Sequence, residues 1–589
     1  MVPRVDLRFN FRPEDNHDKA GGVRRRLVLN LIAAAVMLYT IFFLVSIVRS
    51  ASDGVHIPNE YREAANFDLT LSFIKGINPY TLGTLDNNVP ACAYQYGPLF
   101  SLLVAGLHFV LPFVDIFALH YIFAFICMMA ASIMAAIIAH ENTKTLLPPV
   151  CAFLFITACS WRYGYVNAVP DTLGLTLLVM IFFAETRKKL PGKEYIEAFI
   201  AVALFYTKQY FVIVAASLFI YKLITDKKAC LKLSISGIVF LVSSVALIDL
   251  TCPLYFTYSL LVVHGVSGQS VAKPVLTGGQ LSGAFFASAK NIGPIYETAS
   301  ATGNPSTGWA FEVMQLKSLV GIFVFVFLSM AAGVVLAFIK RRPSFNASRL
   351  FVIHSAVAFA ALLFLGQNDG AWLSYYLQLL MPSVIIYAFI IAETCVFDES
   401  VTKIWRIAAG VLLILMVMHT TYRVDSRLPY YIKSSEVRQS WEKAYKYCDA
   451  YAGSGEILYR APVGVNALIN GRYLYDNGHE LAIKQSFLDE YNNSPAYQSL
   501  FPYAGRLMEQ HEAYRKEMLD KAGRQEYSLI MIADGETKPD EMITSEDAEA
   551  AGYVLLEEVP LDMGWASYDV EFWVRSSEDI PVLEAVDSL

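Results

Sequence analysis

Residues 56–105 read HIPNEYREAANFDLTLSFIKGINPYTLGTLDNNVPACAYQYGPLFSLLVA, and where they lie decides how the rest of the chain is read. They follow directly on the first long apolar segment, Leu27 to Val48, which opens after Arg24-Arg25-Arg26. That segment is longer than the roughly 7–15 apolar residues of a signal peptide, so it reads as a span rather than a cleaved leader. The positive-inside rule makes the polar tail 1–26 cytoplasmic, and span 1 (about 27–49) then exits to the far side. The outer loop 50–115 therefore presents Glu60, Arg62, Glu63, Asp68, Tyr80, Tyr94 and Tyr96 on the extracytoplasmic face. So many carboxylates and aromatics between two spans point to use in a site.

The composition fits a membrane protein. The chain has 589 residues, 55% hydrophobic and 17% charged, and a mean hydropathy of +0.43. Soluble domains are about 45–50% apolar and about 25% charged. With a net charge of -7, nothing suggests nucleic acid, whose binders show a basic face. The 8 cysteines are scattered singly, mostly in apolar runs, and no pair has metal-ligand spacing. No cofactor is expected; dependence on a divalent metal is left open.

Beyond the first loop, Glu60 to Ile74 has helical spacing, and Gly97 to Phe113 is apolar but short and broken by Pro98 and Pro112. Both read as helices at the membrane interface rather than crossings. Span 2 (about 116–139) then runs inward, span 3 (146–160) outward and span 4 (171–184) inward to Arg187, Lys188 and Lys189. Spans 5 and 6 form a hairpin that turns at Thr207-Lys208-Gln209 and returns to Lys222, Lys227 and Lys228. Span 7 (233–250) opens a second outer loop, 251–312. Spans 8 to 11 follow at about 314–339, 349–365, 375–394 and 404–420. Every strong Lys/Arg cluster then falls on the cytoplasmic side; a crossing at 97–113 would reverse them all. The expectation is an α-helical polytopic membrane protein of about eleven spans over 27–421, with a soluble extracytoplasmic α/β domain over 422–589. In that domain helices are expected at 434–451 and 495–522, and strands near 456–459, 472–475, 527–532, 553–556 and 570–574.

Candidate chemistry collects at the outer ends. Glu60 and Glu63 are three apart and share a helical face. Either can serve as a general base toward an acceptor hydroxyl, or both can be ordinary ion pairs with neighbours such as Arg62. Lys208, at the far-side turn, suits a departing phosphate, or is a lysine snorkelling from a helix end. Arg162 and Arg62 are further phosphate candidates. Asp171, after Pro170, reads as an N-cap or a ligand for sugar hydroxyls, and Gln209 adjoins Lys208. Gln367, Asn368 and Asp369, followed by Tyr375, Tyr376 and Gln378, suit sugar hydroxyls or a phosphate.

Together these features resemble the GT-C superfamily of polytopic membrane glycosyltransferases, in particular the protein mannosyltransferase and aminoarabinose transferase types. The resemblance rests on Asn59-Glu60-Tyr61-Arg62-Glu63-Ala64, on Gly76-Ile77-Asn78-Pro79-Tyr80, on Tyr96-Gly97-Pro98-Leu99, on Pro170-Asp171, on Lys208-Gln209 and on the soluble domain at the end of the chain. It covers most of the chain as an order of features, and each motif is short. It implies a polyprenyl-phosphate sugar donor, an envelope glycan, lipid or protein acceptor, and an inverting reaction at the outer face of a bacterial inner membrane. It also implies a catalytic carboxylate in the first loop, Glu63 or Glu60, and sugar contacts from Tyr80, Tyr96 and Asp171. The family's acidic pair is replaced here by two glutamates, which leaves the base unsettled. The competing class is a transporter or flippase of envelope lipids or glycans. It would call for mid-membrane charges and paired broken helices in two halves, which the sequence does not display.

Overall fold

The computed structural model describes residues 19–51, 56–58, 63–83, 97–160, 168–187, 190–257, 308–340, 349–365, 373–399, 401–425, 434–459, 463–464, 467, 492–493, 495–500, 503–534, 543–562 and 567–575. Helix α1 (Lys19–Ala51) is followed by two short helices, α2 (Glu63–Ile74) and α3 (Leu99–Val110). Next come α4 (Ile116–Glu141), α5 (Leu147–Cys159), α6 (Asp171–Thr186) and α7 (Lys193–Thr207). A 3-10 turn (Gln209–Phe211) leads into α8 (Val212–Thr225), and α9 (Lys227–Thr251) precedes the second loop. Helices α10 (Gly308–Lys340) and α11 (Arg349–Leu365) follow it. The π-helical turn Tyr376–Leu380 leads into α12 (Met381–Phe397), and α13 (Lys403–Asp425) ends the apolar part.

Among the described residues, six helical segments are long and apolar enough to cross a membrane: Gly22–Val48, Ile116–Glu141, Lys227–Thr251, Glu312–Val335, Leu373–Phe397 and Lys403–Asp425. The other five expected spans coincide with shorter helices, from 13 residues in α5 to 17 in α11. A 13-residue helix reaches only about 20 Å at 1.5 Å per residue. Pro148-Pro149, Pro170 and the extended Lys208 delay or divide these helices, because proline and extended residues cannot sit in a helix interior. Non-helical backbone at this depth is tolerated where protein covers it. Helix α3, with 12 residues, is shorter than a crossing requires.

Helix α12 is the centre of the bundle, with all 17 of its residues buried. Apart from Ser383, Glu393 and Thr394 it is apolar on all sides, as suits a helix with no solvent face. Gly333 on α10 lets it approach: a Cβ there would lie 2.8 Å from Ile391. Helix α9 is at the other extreme, since Ile238 is 62% and Leu250 83% exposed, which marks a lipid-facing helix. Polar pairs tie the interior, including Ser132–Thr157 at 2.9 Å and Ser355–Ser383 at 2.7 Å. Such bonds contribute about 0.6 kcal/mol each between membrane helices.

After residue 425 the chain builds an α/β unit. Helix α14 (Ser435–Tyr451) is followed by β1 (Glu456–Leu458), α15 (Pro495–Leu500) and α16 (Ala504–Gly523). Then come β2 (Tyr527–Asp534), α17 (Ser545–Ala550), β3 (Val554–Asp562) and β4 (Ser567–Val574). The sheet order is β1-β2-β4-β3, with β1 parallel to β2 and the other pairs antiparallel. The expected strand at 472–475 lies outside the described residues. Trp441 of α14 is fully buried and donates from Nε1 to Asp562 O at 3.0 Å.

This unit is joined to the helices. Ile57, Phe67, Phe117 and Ala168 share one buried core with Trp441, Tyr451 and Val463. The Tyr445 hydroxyl donates to His56 O across the junction. Helix α2 is consequently buried: ten of its twelve residues, Glu63 to Ser72, have no solvent face. The C-terminal unit and helices α3 and α4 cover it.

Candidate active site

Helix α2 starts on Glu63, whose carboxylate is fully buried and binds two other elements. Tyr121 of α4 donates its hydroxyl to Oε2 at 2.7 Å, and the Ala168 backbone N–H donates to Oε1 at 2.7 Å. Glu63 thereby fastens the segment 168–170 that launches α6. A carboxyl group held by a donor on each oxygen is fixed in place. Further along, Thr70 Oγ1 lies 2.8 Å from His120 Nε2, and the fully buried Asp68 faces the protein interior.

Three residues beyond Ala168, Asp171 is the first residue of α6. The N-cap position belongs to Pro170, with no side-chain cap, so the N-cap expectation for Asp171 is corrected. Its carboxylate, 1% exposed, instead receives Lys208 Nζ at 3.0 and 3.1 Å. Negative charge in a first helical turn also meets the helix dipole favourably. Lys208 is held in an extended conformation between α7 and the 3-10 turn, with φ -160° and ψ 124°. It is 4% exposed and not a snorkelling lysine. Its ammonium lies 5.2 Å from the Tyr210 ring centroid and 5.1 Å from that of Tyr375, within cation–π range. The Tyr210 hydroxyl donates to Gln378 Oε1 at 2.9 Å and approaches Asp171 Oδ1 at 3.5 Å. Glu63, through Ala168 N–H, and the Asp171–Lys208 pair thus both lie at the N-terminal end of α6, and Gln209 opens the adjoining 3-10 turn.

The short motifs have local reasons. Gly76 adopts φ +72° after α2. Ile77 N–H reaches Ser72 O at 2.8 Å and Gly76 N–H reaches Phe73 O at 3.0 Å, a Schellman ending that favours glycine. Asn78 Nδ2 donates to Thr251 O at 2.8 Å and so ties the loop to the end of α9. Tyr80 is fully buried and its ring packs edge-on against Tyr255. A Cβ on Gly97 would lie 1.7 Å from Tyr206 O, so only glycine lets the first loop pass this close to the strand of chain bearing Lys208.

Glu60, Arg62, Tyr96, Arg162, Gln367, Asn368 and Asp369 lie outside the described residues. Sequence reasoning missed Tyr121 and Tyr210, which look like ordinary interfacial aromatics until the fold pairs them with carboxylates. It also counted Lys222 only as one of the lysines at the cytoplasmic return of the hairpin. The structure buries Lys222 between Glu185 and Glu197 of neighbouring helices, with Lys193 also 3.1 Å from Glu185. The signal was available: two glutamates inside apolar runs call for a cationic partner. Among the described residues, no three His, Cys, Asp or Glu side chains are grouped to hold a metal ion.

No family model and no curated protein matches the chain. Solved structures do. ArnT from Cupriavidus metallidurans, in a structure bound to undecaprenyl phosphate, aligns with a TM-score of 0.50 at 10% identity, covering 93% of this chain and 98% of that one. The oligosaccharyltransferase of Archaeoglobus fulgidus in its apo form gives 0.49 at 11% identity, covering 86% and 69%. Its complex with an inhibitory peptide and a dolichol-phosphate gives 0.47 at 11% identity, covering 86% and 69%. With its bundle of apolar helices, its buried first-loop helix and its terminal α/β unit, the chain is a multi-pass membrane protein with the fold of the GT-C glycosyltransferases.

Proposed function

We propose that the protein transfers a sugar from a polyprenyl-phosphate carrier to a cell-envelope acceptor on the extracytoplasmic face of the membrane. The observation that carries this reading is the placement of Glu63 and of the buried Asp171–Lys208 pair at the same end of α6, on the side where the C-terminal unit packs. At the opposite end of α4 and α6 stand the basic side chains. Arg25 donates to Val396 O at 3.1 Å, Arg187 pairs with Glu141, and Lys193 with Lys222 surrounds Glu185. The positive-inside rule makes that end cytoplasmic and the Glu63–Lys208 end extracytoplasmic.

In the reaction, an acceptor hydroxyl oxygen attacks the anomeric carbon from the face opposite the phosphate. The new C–O bond forms as the bond to the phosphate oxygen breaks, which inverts the centre. A first-loop glutamate, Glu63 or Glu60, takes the hydroxyl proton, and the lipid phosphate leaves with the bonding electron pair. Lys208 stabilises the charge that develops there, and it acts strongly because little water surrounds it. Asp171 orients Lys208 and borders the sugar, and Gln209, Gln367, Asn368 and Asp369 are further sugar contacts on this reading. Arg162 and Arg62 are further phosphate ligands on this reading. The solved ArnT structure, which holds undecaprenyl phosphate on the same fold, supports the choice of donor class.

The test supplies purified protein in lipid nanodiscs with labelled polyprenyl-phosphate sugars and follows transfer, with Glu63→Gln and Glu60→Gln alongside. At least one substitution is expected to lower kcat by about 10²–10⁴, the usual contribution of a general base. Full activity in both variants overturns the assignment.

A further inference from the structure

The turn Tyr376–Leu380 is π-helical, with Met381 N–H bonded to Tyr376 O. Its cause lies one residue further on. Pro382 has no N–H to offer Gln378 O four residues earlier, and its ring would collide with that carbonyl in a regular helix. The chain answers by inserting a residue into the turn. Such insertions rotate side chains away from their α-helical directions and are frequent at functional sites. Tyr376 is anchored by donating to Glu312 and to Leu362 O, the latter at 3.3 Å.

Gln378 is thereby turned toward Tyr210, and one end of its amide is used there. The other end, Nε2, is fully buried and has no hydrogen-bond partner among the described residues. An unfilled buried donor is costly, and it is retained next to Tyr210, whose ring lies against Tyr375 and 5.2 Å from the Lys208 ammonium. As placed, Oε1 accepts from the Tyr210 hydroxyl and Nε2 is the open end.

We infer that Gln378 is a substrate-contacting residue whose Nε2–H donates to a phosphate oxygen of the lipid carrier, beside the charge supplied by Lys208. This deepens the proposed transferase reading and rests on it. A neutral donor separated from a buried cation by one shared tyrosine, Tyr210, fits an anion, while Asp171 already occupies one side of the ammonium. A second donor lets the headgroup be held without taking Lys208 wholly from Asp171.

The experiment measures binding of undecaprenyl monophosphate to the full chain in nanodiscs, together with KM and kcat for the sugar-bearing donor. The variants are Gln378→Met, Gln378→Glu and Tyr210→Phe. Gln378→Met removes the donor at equal length, and a fall in affinity of about tenfold is expected, the equivalent of one buried hydrogen bond. Gln378→Glu keeps an acceptor for Tyr210 and places an oxygen where the donor was, so a larger loss is expected. Tyr210→Phe leaves the amide in place and should lose less than either. Melting curves confirm that each variant is folded, and if Gln378→Glu does not fold, Gln378→Met decides. Affinity within twofold of the unsubstituted protein in a folded Gln378→Met variant overturns the inference, as does an equal loss in Tyr210→Phe. A raised KM for the sugar donor with unchanged binding of the monophosphate also overturns it, by assigning the amide to a sugar hydroxyl. An unsubstituted protein that binds no monophosphate removes the transferase reading itself, a result distinct from these.

Discussion

Asp171 and Lys208 hold one another in the interior, and such pairs are informative when taken apart singly and together. Removing one member strands a buried charge, which costs about 3–5 kcal/mol, whereas replacing both by apolar side chains is often neutral. Lys208→Met is therefore expected to lower the melting temperature sharply in detergent. The double variant Lys208→Met/Asp171→Leu should recover most of that loss and still fail to bind undecaprenyl monophosphate. Recovery of binding with stability would show Lys208 to be structural only. Glu63 calls for a parallel separation, since its two oxygens serve Tyr121 and Ala168 N–H. Glu63→Gln offers only one acceptor, so a loss of about 1–3 kcal/mol in stability is expected. A fall in kcat far beyond what the lost stability accounts for would identify Glu63 as the base. A merely structural effect would pass that role to Glu60.

At the level of elements, two local devices shape the site. Pro382 makes the π-turn, and Pro382→Ala restores the missing N–H. The turn should then relax toward a regular helix and rotate Gln378 away from Tyr210. The expected outcome is a melting temperature changed by only a few degrees with monophosphate binding weakened about fivefold or more, the signature of altered geometry rather than lost packing. Gly97 sets the approach of the first loop to α7. Because a Cβ would overlap Tyr206 O, Gly97→Ala must displace backbone, at about 1–3 kcal/mol, and should lower both the melting temperature and transfer. The Lys222–Glu185–Glu197 cluster does comparable work at the other end of the bundle, where it clamps α6, α7 and α8 together.

For the whole molecule, the junction between helices and C-terminal unit carries a pH dependence. Asp115 is held below the usual carboxylate range by the His56 imidazole 3.7 Å away; partial burial opposes this and the Ala118 N–H bond assists it. Within the C-terminal unit, burial pushes Glu557 up, but hydrogen bonds from Lys443 and Tyr447 outweigh it and keep the carboxyl low. A carboxylate with a lowered folded pKa stabilises the fold above its unfolded pKa, and loses that contribution as pH falls through the folded value. Thermal melts should thus be level from neutral pH to about 5 and decline below about 4. Asp115→Asn should flatten the decline. A decline unaltered in Asp115→Asn and Glu557→Gln would place the acid sensitivity elsewhere.

The sequence by itself determined the fold class and the order of the helices. Apolar length, prolines and Lys/Arg clusters are local properties, and the bilayer reads them segment by segment. It also marked Glu63, Asp171 and Lys208, since charged groups at the ends of apolar runs are costly enough to stand out. Only the tertiary structure decided that α2 is buried, that Asp171 holds Lys208 rather than capping α6, and that Tyr80 packs. It alone joined Tyr121 to Glu63 and Tyr210 to Gln378. Those outcomes depend on which side chains meet across 58 residues between Glu63 and Tyr121, or 168 between Tyr210 and Gln378. Contacts at such separations leave no periodicity in the chain, because their free energy comes from burial and pairing that exist only once the helices have packed.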